Sequence, residues 1–163
     1  MKFIIQQAVK RNLPAVRAVM CEAAQWLMDT GEPLWSLEQF STEALHQLVE
    51  QQTLYLAQKD NEIIGAFILQ TDDELFWTDS KTTQALYVHK LCVSRKVAGQ
   101  GVAQSILEWV KAKALDENKT VVRLDCAPRA KLCHFYEKAG FKKHSEGRVE
   151  NFEVVRYELA VTL

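Results

Sequence analysis

The stretch Tyr87–Ala103, YVHKLCVSRKVAGQGVA, decides how the rest of the chain is read. Its first half has the two-residue period of a strand, with His89, Leu91 and Val93 on one face and Val88, Lys90 and Cys92 on the other. From Val102 the period becomes helical: Val102, Ile106, Leu107, Val110 and Ala114 fall on one stripe. Between them stand Gly99 and Gly101, without side chains where the helix begins. Unpaired backbone N–H groups and the positive end of the helix dipole then face an open surface, which suits a phosphate. An ordinary strand-to-helix turn has the same pattern, and on this segment alone both readings stand.

Two other phosphate loops are excluded. A P-loop needs Lys-Ser or Lys-Thr after its last glycine, and neither glycine here is followed by one. A dinucleotide fingerprint needs Gly or Ala three residues after Gly101, where this chain has Gln104.

Working outward, the 163 residues are enough for one domain, 1–163, with a continuous core. The formal net charge of −1 gives no basic field for nucleic acid, and local pairs such as Arg95-Lys96 and Lys142-Lys143 read as solvated surface. Four cysteines (Cys21, Cys92, Cys126, Cys133) have no C-x-x-C spacing, and three lie in apolar-periodic segments. That usage fits a reducing cytoplasm. The apolar run in MKFIIQQAVKRN is short for a signal peptide, and no run has the length of a membrane span.

Phe3–Ala8 reads as a first strand, and Asn12 as the cap of a helix reaching Asp29, which Thr30-Gly31-Glu32-Pro33 ends. Ser36 or Ser41 caps a second helical stretch through Glu50. Thr53–Gln58 and Glu62–Thr71 read as a hairpin around Asp60-Asn61. The segment from Thr71 to Gln84 is a long acidic connection with Trp77 in it. After the organising strand and helix, Thr120–Cys126 (TVVRLDC) reads as a strand. Pro128 is expected at the first position of a last helix, with Gly140 just past its end. A terminal hairpin is expected across Glu146-Gly147-Arg148. This order predicts an α/β chain with a mixed, mainly antiparallel, twisted sheet and about four helices.

With these elements placed, the chain resembles the GNAT superfamily of acyl-CoA-dependent N-acetyltransferases. The resemblance is carried by YVHKLCVSRKVAGQGVAQSIL, VVRLDC and KLCHFYEKAGF in that order, the last holding Tyr136, Gly140 and Phe141 as Tyr-x-x-x-Gly-Phe. It implies acetyl-CoA as co-substrate, no metal, and a diphosphate loop made of Ala98, Gly99, Gln100, Gly101, Val102, Ala103 and Gln104. The family's loop usually starts with Gln or Arg, and here that position is Ala98; an Asn common early in the last helix is here Arg129. By the same resemblance the backbone of Leu91, Cys92 and Val93 meets the pantetheine amides and Tyr136 lies at the cofactor; Arg129, standing where the family has that Asn, is a candidate to reach a coenzyme phosphate instead of the pantetheine arm.

Acyl transfer to an amine needs a neutral nucleophile, a donor for the developing oxyanion and a proton for the departing sulfur. A lysine-like amine has a pKa of about 10.4, so at pH 7 it is almost wholly protonated and a base helps. The resemblance places His89 where many members carry Glu, as candidate base; a lone strand histidine also serves packing. It makes the Val93 N–H the oxyanion donor and Tyr136 the acid, although Tyr136 also lies on an apolar stripe with Leu132, Phe135 and Ala139. Cys126 has no histidine placed beside it by spacing and is not expected to be a nucleophile. Asp72, Asp73, Glu74, Asp29 and Glu32 are candidates to attract a cationic amine, with solvated surface as the other reading of each; Trp35 and Trp77 are candidates to line its pocket, with core or rim packing as the other reading. The expected partner is a small-molecule or peptide amine, not nucleic acid or membrane; a homodimer is compatible with the sequence. Two rivals are an acyl-CoA-binding sensor without turnover and an interaction domain with a merely structural glycine turn.

Overall fold

The computed structural model describes residues 2–162. Hydrogen-bonded neighbours run β1-β2-β3-β4-β5-β7-β6 in one seven-stranded sheet, in which β4 (Ala85–Val93) and β5 (Val121–Cys126) are parallel. The other strands are β1 (Ile4–Gln7), β2 (Leu54–Lys59), β3 (Glu62–Gln70), β6 (Lys142–Val149) and β7 (Phe152–Ala160). Four α-helices accompany them: α1 (Leu13–Asp29), α2 (Thr42–Glu50), α3 (Val102–Asp116) and α4 (Ala130–Lys138). This is the mixed, mainly antiparallel α/β arrangement the element order predicts. No helix among the described residues is long and apolar enough to cross a membrane. The chain divides into two compact units, one of Met1–Leu69 with Lys90–Ile106, the other of Gln70–His89 with Leu107–Leu163.

In the first unit β1, β2 and β3 form an antiparallel ladder. Asp60 and Asn61 both adopt positive φ (50° and 64°), the backbone a two-residue hairpin turn requires. The buried stripe of α1, including Val16, Met20 and Ala24, packs in one core with Phe40, Leu45, Leu56 and Cys92. Ser41 caps α2 by accepting from the Ala44 N–H at 3.1 Å. Asn12 does not cap α1 in that way. Its Oδ1 accepts from the Val9 N–H at 2.8 Å, closing the short 3-10 turn Lys10–Asn12 ahead of the helix.

The strict alternation expected of β4 is interrupted at Lys90, whose φ is +52°. A bulky residue in the left-handed region marks a local break in the pleat. Lys90 Nζ lies 5.7 Å from the centre of the Phe40 ring, and burial lowers its pKa. The backbone of this end of β4 comes close to β3: a Cβ on Gly65 would meet the Cys92 carbonyl oxygen at 3.2 Å.

In the second unit β5 pairs antiparallel with β7, and β7 with β6. Helix α4 ends as the sequence predicts. Gly140 (φ +99°) donates to the Glu137 carbonyl and Phe141 to the Tyr136 carbonyl, both at 3.0 Å, the paired bonds of a Schellman cap. Its start differs from expectation, because Arg129 is the N-cap and Pro128 lies outside the helix. The terminal hairpin also turns later than expected. Strand β6 continues through Gly147 to Val149, and Glu150 (φ +55°) makes the turn. Gly147 has another reason to lack a side chain: the Arg156 guanidinium packs over it, 3.0 Å from where a Cβ would sit.

The connection from Thr71 to Gln84 has no regular structure, yet two buried arginines hold it. Arg123 of β5 donates to the Ser80 carbonyl and, at 2.8 Å, to Glu158. Arg156 of β7 donates to the Phe76 carbonyl at 2.6 Å. Trp77 is fully buried between them, 4.3 Å from the Arg123 guanidinium. It is therefore a core residue of this unit, which decides between the two readings of its position in favour of packing.

Candidate active site

The expected site residues fall in two places, one in each unit. In the first unit the chain leaves β4 through Ser94, whose N–H donates to the Ile64 carbonyl of β3 at 2.8 Å. Successive N–H groups of a strand point to opposite sides, so the Val93 N–H points away from β3. Cys92 is only 2% exposed and its side chain belongs to the core, so of this residue only the backbone is available to a ligand.

A short 3-10 turn, Arg95–Val97, follows; Glu22 accepts the Arg95 N–H at 2.7 Å and thereby ties the turn to α1. Ala98 and Gln100 donate back to the Arg95 and Val97 carbonyls. Gly99 (φ +77°) and Gly101 (φ +81°) then take conformations that a side chain makes costly. A Cβ on Gly99 would meet nothing within 4 Å, and one on Gly101 only Gln104 Oε1 at 4.0 Å. The glycines thus clear space and do not serve packing. The first bond of α3 joins the Ser105 N–H to the Gly101 carbonyl at 3.0 Å, so the N–H groups of Val102, Ala103 and Gln104 precede the helical ladder. Open space before three such donors and a helix dipole fits a diphosphate.

In the second unit His89 lies between two carboxylates. Its Nε2 is 3.1 Å from Asp73 Oδ2, and its Nδ1 is 3.7 Å from Asp125 Oδ1. All three side chains are largely buried, with exposures of 15% for His89, 4% for Asp73 and 11% for Asp125. Asp73 is not a surface acid that attracts an amine. Its Oδ1 accepts the N–H groups of Leu75 (3.0 Å) and Phe76 (2.8 Å). Burial pushes the Asp73 pKa up, but His89 and these backbone donors outweigh it and leave the carboxyl below its ordinary value. Asp125 behaves oppositely. Burial, with the neighbouring Asp73 charge, raises it to about 6 against the pull of His89 and Arg156.

Each of the three residues can offer one ligand atom to an ion, with all three atoms within 4.8 Å of one another. The two ring nitrogens, however, face different carboxylates, which is the geometry of a proton relay more than of a single ion's ligand sphere. Sequence reasoning missed Asp125 as a site residue. A signal was present: Val122, Leu124 and Cys126 are buried on one face of β5, while Arg123 and Asp125 alternate with them inside an apolar strand.

Tyr136 is half-buried, its ring 6.0 Å from that of Phe141 and 6.3 Å from that of Tyr157. Arg129 is half-buried at the head of α4. Burial and the nearby Cys133 push the Cys126 thiol up to about 12, so it holds its proton at neutral pH.

Residues 24–161 match the family model described as an acetyltransferase (GNAT) domain. The chain is 28% identical over 143 residues to the uncharacterized N-acetyltransferase YesJ of Bacillus subtilis strain 168, covering 83% of this chain and 79% of that one. Its fold is similar to that of a GNAT-family acetyltransferase from Listeria monocytogenes 4b F2365 (TM-score 0.79, 23% identity, 96% of this chain and 95% of that chain). It is also similar to the PaiA N-acetyltransferase of Thermoplasma acidophilum, solved in complex with coenzyme A (TM-score 0.76, 15% identity, 98% and 99%). The strand, glycine turn and helix thus stand in a matched family and a shared fold, and the chain belongs to the GNAT acetyltransferase domain family, as an acyl-CoA-dependent N-acetyltransferase.

Proposed function

We propose that residues 1–163 serve as one domain that transfers the acetyl group of acetyl-CoA to a primary amine by direct attack, in the cytoplasm. The observation that carries this reading is the turn at Gly99 and Gly101, open to solvent and followed by three N–H groups ahead of the α3 ladder. The N–H groups of Gly99, Gly101, Val102, Ala103 and Gln104 hold the coenzyme diphosphate, and Arg129 adds a cation for a coenzyme phosphate. The structural relative from Thermoplasma, solved with coenzyme A, supports the choice of ligand.

Acetyl-CoA supplies an activated acyl group on a sulfur leaving group. The backbone of Leu91, Cys92 and Val93 orients the pantetheine arm, and the Val93 N–H stabilises the charge that develops on the carbonyl oxygen. The cluster centred on His89 takes the proton that the amine must lose before it attacks. Tyr136 returns a proton to the sulfur. The elevated Cys126 thiol supports direct transfer, because a thiol near 12 is a poor nucleophile for an acyl-enzyme.

The test is release of free coenzyme A thiol from acetyl-CoA, measured against a panel of a polyamine, amino acids, an aminoglycoside and a peptide N-terminus. Thiol release that requires an amine supports the reading. Binding of coenzyme A with no amine-dependent release makes the protein a sensor, and no thermal shift with coenzyme A makes the glycine turn purely structural.

A further inference from the structure

Resting on the acetyl-transfer reading, we infer that Asp125 is the group that accepts the acceptor amine's proton, with His89 as its positioning link and Asp73 as the anchor.

The geometry leaves His89 poorly placed for that task. Each ring nitrogen faces a carboxylate oxygen, Nε2 at 3.1 Å and Nδ1 at 3.7 Å, inside a cluster whose side chains are largely buried. Neither nitrogen is turned to open space, where an incoming ammonium would arrive. Asp73 is engaged more fully still. Two backbone N–H groups occupy Oδ1, Oδ2 faces the ring, and only 4% of the side chain is exposed.

Asp125 differs from Asp73 in its greater exposure and in lacking side-chain bonds from the backbone donors of other described residues. Its Oδ1, like Asp73 Oδ2, is buried without a hydrogen bond and faces His89, so the 11% exposure of the side chain lies on its other atoms. Among the described residues no lysine or arginine forms an ion pair with it. Arg156, its cross-strand partner on β7, directs Nε to the Phe76 carbonyl and Nη1 to Ser145 Oγ and Asp79. The remaining titratable neighbours are His89 on β4, Asp73 in the connection and the Cys126 thiol beside it. A carboxylate held near a second carboxylate and out of water binds a proton more tightly than a surface acid.

In the step itself an N–H bond of the acceptor's ammonium breaks as an O–H bond forms on Asp125. The freed lone pair attacks the thioester carbonyl carbon, and Asp125 gives its proton to solvent after turnover. No electrons are exchanged with an outside reagent. His89 holds Asp125 at the required angle, and Asp73 holds His89.

The experiment compares wild type, Asp125→Asn, Asp125→Glu and His89→Gln, each checked for folding by circular dichroism. The readouts are kcat/KM against pH with saturating acetyl-CoA and the side-chain carboxyl 13C titration of the unliganded protein. Wild type should show an acidic limb, and a carboxyl titrating near 6 that is missing from Asp125→Asn. Asp125→Asn should lose ~100-fold in kcat/KM and the limb with it, with coenzyme affinity unchanged. Asp125→Glu should recover part of the rate, and His89→Gln should lose ~10-fold while keeping a displaced limb. Retention of the limb by Asp125→Asn with its loss in His89→Gln overturns the inference and makes His89 the base. An Asp125 carboxyl that titrates in the ordinary range overturns it whatever the activity. A wild type that releases no thiol with any amine shows instead that the acetyl-transfer reading has failed.

Discussion

The glycine turn before α3 and the Asp73–His89–Asp125 cluster reach their chemistry by opposite routes. The turn works through the backbone, and side chains are absent where they would obstruct it. Its six or so residues are contiguous, so local conformation alone presents the donors. The cluster works through side chains from a connection and two strands, held by burial and by backbone donors from Leu75 and Phe76. A backbone site tolerates most changes that keep its φ angles, whereas a buried charged site is sensitive to the loss of any one member.

The contrast is broken most directly at the turn. Replacing both Gly99 and Gly101 by Val forces side chains into the left-handed region at roughly 1–2 kcal/mol each, so coenzyme A affinity should fall on the order of 100-fold by calorimetry. The acidic limb of the pH profile should stay where it is. An unchanged affinity would mean that the diphosphate does not sit there.

The cluster is tested by stability against pH. Asp125 has its folded value raised from 3.8 to about 6, so the folded state binds this proton more tightly than the unfolded state does. Its contribution is therefore fully present below 3.8 and is lost as pH rises towards 6. The loss is on the order of 3 kcal/mol. Asp73, lowered from 3.8, has the opposite sign: its contribution is present above that value and lost only at more acidic pH. Urea unfolding at several pH values across this window should show wild type losing stability relative to Asp125→Asn as pH rises. A constant difference between the two proteins would count against the raised carboxyl.

Smaller effects sharpen the division of labour. Tyr136→Phe should lower kcat roughly 10-fold without changing the acidic limb, because it acts on the departing sulfur and not on the amine. A loss below about twofold would remove Tyr136 as the acid. Cys126→Ala should leave kcat within about twofold, and mass spectrometry should find no acetylated enzyme during turnover. An acetyl group on Cys126 would replace direct attack with a two-step transfer.

Much of the fold was legible because it depends on near neighbours. The stripe Val102, Ile106, Leu107, Val110 and Ala114 is buried throughout, and the Gly140 cap and the Asp60-Asn61 turn form as their residue types require. Local reading failed or stayed open where a residue served a distant partner. Gly147 reads locally as a turn, but it is small because Arg156 packs over it, so the strand runs on to Val149. Trp77 reads locally as either a pocket wall or a core residue, and two arginines from β5 and β7 bury it and decide for the core.

Sequence by itself determined the order of elements, the family and the backbone turn before α3, since periodicity, capping and positive-φ glycines act over a few residues. Only tertiary structure decided that His89 lies between Asp73 and Asp125. Those carboxylates are 16 and 36 positions away along the chain, so their separation in space depends on strand register and on the two arginines that hold the connection. Their proton affinities follow from that placement, because burial and the distance between charges, not residue type, set them.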